Sequence, residues 1–193
     1  MKQHHQYHLD YASRFGQPLV FDLGQDYRMS DFEASSFVSQ MRDIYSLNRA
    51  QWEPFNLHLC NYDPELPGQR DLMENEHYRG FTWNISEECF TRLFPVERIV
   101  YLSPDAPEVT SSWNHDDVYV IGGVVDKSAS GGKMTLSKIK RLGLRSQRFD
   151  IDRYFKKRQV NENCCFKCLS ILTTCALFGC LIRPACLADD NPD

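Results

Sequence analysis

The chain has 193 residues, 42% of them hydrophobic and 12% aromatic, with 22 Lys and Arg against 26 Asp and Glu for a net charge of −4. That length suits one domain with a core of its own, and the composition excludes a disordered, collagen-like or simple-repeat chain. It contains no uncharged apolar run of about eighteen residues, the length a membrane-spanning helix needs.

In chain order, residues 1–16 are polar, with His4, His5 and His8 among them, and read as a flexible N-terminus rather than a metal site. Met1 to Phe15 lacks the apolar core of a secretory signal and the Arg-rich character of a transit peptide. Leu19 to Asp22 reads as a buried strand ending on an acid. Ser30-Asp31-Phe32-Glu33 is a capping box, and Phe37, Met41, Ile44 and Tyr45 follow at helical spacing, which predicts a helix to about Leu47. Phe55 to Cys60 alternates as a second strand. Asp63 to Gly68 is loop chemistry. Phe81 to Asn84 is a short third strand, and Ser86 is placed to cap a helix running through Phe94.

The second half is more regular. Arg98 to Ser103 is a strand that Pro104 stops, and Pro107 to Trp113 fits a short helix with proline in its first turn. Asp117 to Ile121 is a strand followed directly by Gly122-Gly123. Thr135 to Leu142 is a helix ending at Gly143, Gln147 to Asp150 is another strand, and a basic helix surrounds Tyr154. Strand–helix alternation predicts an α/β fold, a parallel sheet flanked by helices on both faces. Ligands in such folds bind at the carboxyl ends of the strands, here Ser103 and Gly122 to Asp126.

Charge is unevenly placed. Residues 127–158 hold 11 basic and 2 acidic side chains, so half of all Lys and Arg lie in this stretch. Such a block suits either a polyanion surface, with nucleic acid first, or a solvated helix face. Cysteine is just as uneven. Cys60 and Cys89 read as buried free thiols, whereas Cys164, Cys165, Cys168, Cys175, Cys180 and Cys186 crowd the tail. The lone Cys165-x-x-Cys168 has no second ligand pair at zinc-site spacing, so no metal site is expected. Cys168 to Ile182 carries no charge, but a helix of that length reaches only about 22 Å, short of a bilayer core, so a membrane role is not expected.

Val120 to Ser128 is the most informative segment. Two glycines at a strand end let the backbone approach a ligand, and Asp126, three residues on, fits either a general base or a surface acid of a tight turn. It is neither a P-loop nor a Gly-x-Gly-x-x-Gly turn. Gly-x-Ser-x-Gly and His-Glu-x-x-His are also absent, so serine hydrolase and zincin readings have no support. The Asp116-Asp117 pair beside His115 reads as the loop feeding a strand.

Arg98 to Pro107, Asp117 to Lys127 and Ala129 to Leu144, with Leu19 to Asp22, Met29 to Glu33, Ser39-Gln40 and Phe55 to Asn61 in the same order, resemble the tRNA purine-9 N1-methyltransferases. The resemblance spans about residues 17–158. It implies a SPOUT-type domain, the knot-forming C-terminal segment of which is expected to be missing or altered in this chain, and S-adenosylmethionine as cofactor. Asp126 matches the family's general base. Leu102 and Gly122 match cofactor-lining positions, and Leu142 and Phe149 match its adenine side. Lys127, Lys133, Lys138, Lys140, Arg141 and Arg145 would face tRNA phosphates, contacts that position RNA without reading its sequence. Asp126-Lys127-Ser128 and the Lys140 to Leu144 run are most like the mitochondrial branch. That branch is the methyltransferase subunit of a protein-only ribonuclease P, acting on precursor tRNA beside a short-chain dehydrogenase subunit and a pentatricopeptide-repeat metallonuclease. The resemblance ends near Arg158, so the expected plan is an incomplete methyltransferase domain at 17–158 and a divergent Cys-rich tail at 159–193. Two other readings use fewer residues. One is a non-catalytic tRNA-binding scaffold resting on the basic block, and the other is a small α/β domain partnered through the tail.

Overall fold

The computed structural model describes residues 2–24, 29–74, 82–110, 114–123 and 131–148, with the backbone alone at 2–5, 67 and 131–134. In order, its elements are α1 (Lys2–Phe15), β1 (Pro18–Asp22), α2 (Asp31–Arg49), β2 (Asn56–Cys60), α3 (Pro67–Glu74), β3 (Asn84–Ser86), α4 (Phe90–Leu93), β4 (Ile99–Leu102), β5 (Glu108–Val109), β6 (Val118–Gly122), α5 (Gly131–Leu142) and β7 (Arg145–Arg148). The strands form one sheet in the order β3-β2-β1-β6-β4-β7-β5. Every pairing is parallel. The predicted α/β fold with a parallel sheet is thus the observed one.

The central strands are apolar on both sides because helices cover both faces. Alternation along β1 sends Leu19 and Phe21 into a core shared with Phe37, Met41 and Ile44 of α2 and Leu72 of α3. It sends Val20 to the other face, with Phe90 of α4, Tyr101, Val120 and Ile139 of α5. Asp22 has the same parity as Val20, so its carboxylate points into that second face, where it is fully buried.

The capping box forms as expected. Ser30 Oγ accepts from the Glu33 amide, and Glu33 Oε2 accepts from the Ser30 amide at 2.9 Å. Helix α5 ends in a Schellman motif, with the Gly143 amide on the Lys140 carbonyl, the Leu144 amide on the Ile139 carbonyl, and Gly143 at φ +64°.

Several expectations are corrected. Residues 2–15 are helical rather than flexible, because Leu9 and Ala12, three apart, bury on one face of α1 against the core. Asp63 to Gly68 is not all loop. Pro67 opens α3, and Gly68 lets it approach α2 so closely that a Cβ there would lie 2.8 Å from the Ala34 Cβ. Ser86 ends β3 instead of capping a long helix, its hydroxyl taking the Glu88 amide, and α4 is one short turn behind Cys89. Glu108–Val109 is an edge strand rather than helix. It pairs with Gln147 and Arg148, and the Thr110 amide continues the ladder to the Arg148 carbonyl. The last strand is Arg145–Arg148, starting as soon as Gly143 has turned the chain. The remainder of the expected strand to Asp150, the basic helix around Tyr154 and the Cys-rich tail lie outside the described residues. No described helix is long and apolar enough to cross a membrane, and no described group of three or more His, Cys, Asp or Glu is placed to hold a metal ion.

Candidate functional site

The strand order fixes where the site lies. From β1 the chain leaves through α2 to β2 on one side, and from β6 it leaves through α5 to β7 on the other. The connections therefore diverge between β1 and β6, opening a crevice at their carboxyl ends. There Asp22 pairs with Gly122, and the Gly123 amide donates to the Asp22 carbonyl at 2.8 Å. Gly123 is packed hard against β1: a Cβ would come 2.5 Å from Leu23 Cδ2 and 3.2 Å from the Asp22 carbonyl oxygen. On the next strand Leu102 ends β4 and Ser103 follows, its amide held by the Gln147 carbonyl at 3.0 Å.

Beneath this edge is a buried polar cluster. Asp22 Oδ2 accepts from Lys138 Nζ at 2.6 Å and from the Tyr101 hydroxyl at 2.9 Å. Asp22 Oδ1 accepts from Asn61 Nδ2 at 2.7 Å and from the Gly24 amide at 3.1 Å. Asn61 reaches it from just after β2 by taking the left-handed conformation, φ 56°, which asparagine tolerates. Lys138 also donates to the Gly24 carbonyl, and its ammonium stands 6.0 Å from the centroid of the Phe90 ring. A helical side chain leans toward its helix's N-terminus, which for α5 is the carboxyl edge of the sheet, so Lys138 is aimed into the cluster. Burial, and secondarily the Asp22 carboxylate, pushes the Cys60 thiol up to about 12.

The sequence-predicted residues do not all converge here. Leu102 and Gly122 do, on adjacent strands at the carboxyl edge, with Leu102 opposite Ile121. Leu142 does not: α5 runs back against the strands and delivers it to the amino edge, three residues before Arg145, where it packs against the α5-side core. The phosphate-facing set divides too. Lys138 is turned inward, its side chain 12% exposed and spent on Asp22. Arg145 starts β7 opposite Val100, and Val100 pairs with Tyr119, three residues before Gly122 and about 10 Å down the strand. Its guanidinium bonds Asp117 Oδ1 at 2.6 Å and the Glu97 carbonyl at 2.7 Å. Lys140 and Arg141 are exposed in the last turn of α5, where cations also complement the helix dipole. Asp126, Lys127 and Phe149 lie outside the described residues, as does the Lys133 side chain.

Sequence reasoning found Asp22 only as the end of a strand and missed Tyr101 and Asn61. The available signal was an acid at the end of an apolar run, which once buried requires donors from its neighbours.

Residues 2–174 match the family model described as tRNA (guanine(9)-N(1))-methyltransferase TRM10/TRM10A. The match begins earlier and runs further than the resemblance read at 17–158. The chain is 36% identical over 154 residues to the tRNA methyltransferase 10 homolog C of Homo sapiens, covering 79% of this chain and 38% of that protein. It is 35% identical over 148 residues to the mitochondrial ribonuclease P protein 1 homolog of Drosophila melanogaster, covering 75% of this chain and 33% of that protein. It thus spans about a third of the length of these relatives. Among solved structures, spTrm10(74) superposes with a TM-score of 0.64 at 26% identity, covering 72% of this chain and 75% of that one. Full-length spTrm10, solved as its SAH complex, gives 0.63 at 24% identity, with 74% and 79% covered, a likeness of fold. With its parallel sheet, its β1–β6 crevice and a family match along nearly its whole length, this chain belongs to the TRM10 family of tRNA (guanine(9)-N(1))-methyltransferases.

Proposed function

We propose that this protein methylates N1 of the purine at position 9 of tRNA, using S-adenosylmethionine, with Asp126 as general base. The observation that carries this reading is the β1–β6 crevice, whose strand β6 ends at Gly122 and is followed by Gly123, three residues before Asp126 in sequence, in a chain of the TRM10 family.

The described edge fits such a cofactor. Leu102 ends β4 at this edge as an apolar residue, and close packing of Gly123 on β1 keeps side chains out of the backbone's way. Among the described residues, the buried cation beside this edge, Lys138, is neutralised by Asp22 and so does not oppose a sulfonium. When bound, S-adenosylmethionine supplies an electrophilic methyl group. The work left to the chain is orientation and proton removal, since guanine N1 carries a proton that must leave as that nitrogen forms its new bond to carbon. Asp126, as the carboxylate base, takes that proton. Lys140 and Arg141 hold tRNA phosphates, and Lys138 is not in that set.

The Drosophila relative's name, a mitochondrial ribonuclease P protein 1 homolog, supports placing this activity within mitochondrial ribonuclease P. The precursor tRNA substrate, the short-chain dehydrogenase subunit and the pentatricopeptide-repeat metallonuclease belong to this proposal on the sequence resemblance alone. The test is a thermal melt with and without S-adenosylmethionine, followed by methyl transfer to tRNA by the native chain and by Asp126→Asn. Cofactor at about a hundred times its Kd should stabilise the fold by about 2.7 kcal/mol. Asp126→Asn should keep tRNA affinity and lose transfer. A cooperative melt that the cofactor does not move would leave a tRNA-binding scaffold as the function.

A further inference from the structure

We propose that Cys60 and Cys89 are an oxidisable pair, two free thiols that a peroxide joins into a disulfide tying the carboxyl end of β2 to the start of α4. Neither the tRNA nor the cofactor reading of the crevice is needed for it.

The two cysteines are far apart in sequence, and the fold brings them together. Cys60 is the last residue of β2. Alternation along that strand sends Leu57 and Leu59 to one core and Cys60 to the other, the face that holds Phe90 and Tyr101. Cys89, just before α4, packs against that same core. The backbone between them is bonded directly. The Asn61 amide donates to the Glu88 carbonyl at 3.0 Å, and these groups belong to the peptide units that Cys60 and Cys89 flank. Covalent geometry alone then keeps the two Cα atoms within about 8 Å. The next amide, that of Tyr62, donates to Ser86, further back in the chain. The segments therefore run antiparallel here, with Cys60 opposite Cys89, and opposed residues of that kind stand about 4.5–5.5 Å apart at Cα. A disulfide spans about 4.4–6.8 Å between Cα atoms. The neighbour is felt in the Cys60 thiol, which Cys89 helps to push up, after burial and the Asp22 carboxylate.

Access decides the order of events. Cys60 is fully buried, whereas Cys89 is half-buried, its sulfur accepting from the Thr91 hydroxyl at 3.3 Å. Oxidation therefore starts at Cys89. Its sulfur, having lost its proton to solvent, attacks one oxygen of hydrogen peroxide. The O–O bond breaks, the departing hydroxide takes a proton and leaves as water, and Cys89 becomes a sulfenic acid. The Cys60 sulfur then bonds to the Cys89 sulfur, the S–O bond breaks, and the hydroxyl leaves as water with the Cys60 proton. The two thiols lose two electrons between them, and one peroxide becomes two waters. The new bond closes a loop of about thirty residues and so restricts the unfolded chain.

The experiment is non-reducing peptide mapping of the folded full chain after treatment with hydrogen peroxide. Trypsin leaves Cys60 in the peptide 50–70 and Cys89 in the peptide 80–92, each with no other cysteine. Mass spectrometry should find these two peptides joined, lighter by two hydrogens than their sum, and dithiothreitol should separate them. The oxidised chain should melt about 5–10 °C above the reduced one. Cys89→Ser, which keeps the six tail cysteines, should show neither the link nor the shift. In Cys60→Ala the sulfenic acid at Cys89 has no partner and should be trapped by dimedone. Cys89 carried on to sulfinic acid while Cys60 stays a free thiol overturns the pairing. So does either cysteine joined to a tail cysteine or to a second chain instead, or a link that forms only once the chain is unfolded. An equal melting shift in Cys89→Ser overturns it as well.

Discussion

Acid should weaken this fold through one histidine. His58 lies in the middle of β2, opposite Val20 and Asn84, with its ring edge-on to Phe94 at 5.0 Å between centroids. Its Nε2 is buried without a hydrogen-bond partner. Burial disfavours the charged ring and lowers its pKa from 6.5 to about 4. The folded chain therefore keeps His58 neutral down to about pH 4, while the unfolded chain takes up a proton below about 6.5. In that window the unfolded state binds more protons, so stability falls as pH falls. Between pH 7 and pH 5 those two pKa values give a loss of about 2 kcal/mol. With a urea slope of about 2 kcal/mol/M, the unfolding midpoint should drop by about 1 M. The assay is urea unfolding at both pH values for the native chain and His58→Leu, which keeps apolar volume and cannot titrate. Other groups contribute to both proteins and cancel in the difference. The variant should lose about 2 kcal/mol less than the native chain over this range. An equal loss in the two proteins would refute the argument.

Other expectations follow from single contacts. Gly123→Ala places a Cβ 2.5 Å from Leu23 Cδ2, and Leu23 is itself buried in the core, so the fold should lose about 1–3 kcal/mol in chemical denaturation. Cys60 is fully buried with its thiol pushed up to about 12, so at pH 8 mass spectrometry should find it unmodified by iodoacetamide until the chain is unfolded. Lys140→Ala and Arg141→Ala should each lower the salt slope of tRNA binding by about 1, whereas Lys138→Met should leave it unchanged.

How much of this was legible in the sequence follows the range of the forces involved. The Ser30–Glu33 box and the Gly143 stop depend on residues within a turn of one another, and both elements formed as read. Strands β1, β4 and β6 were legible because burial on both faces leaves an apolar run, and β2 because its residues alternate in polarity. Edge strand β5 was not: Glu108 and Val109 are exposed, and only the distant Gln147 and Arg148 make them a strand. Helix α1 was hidden because two buried residues, Leu9 and Ala12, organise a polar stretch. Of the candidate site, Leu102 and Gly122 do end β4 and β6, which their apolar runs made legible. Lys138 counted toward the basic block by its charge, whereas the direction of its side chain, inward onto Asp22, depends on which way α5 crosses the sheet. Its partners come from residues 22, 24, 61 and 101, a convergence that only the fold creates.

The most direct test of the central claim is where the methyl group goes. The native chain and Asp126→Asn are incubated with a precursor tRNA transcript and methyl-labelled S-adenosylmethionine, and the RNA is digested and sequenced by mass spectrometry. The account predicts N1 methylation of purine 9 by the native chain and none by Asp126→Asn at equal tRNA binding. Label at another position, or undiminished transfer by Asp126→Asn, would contradict it.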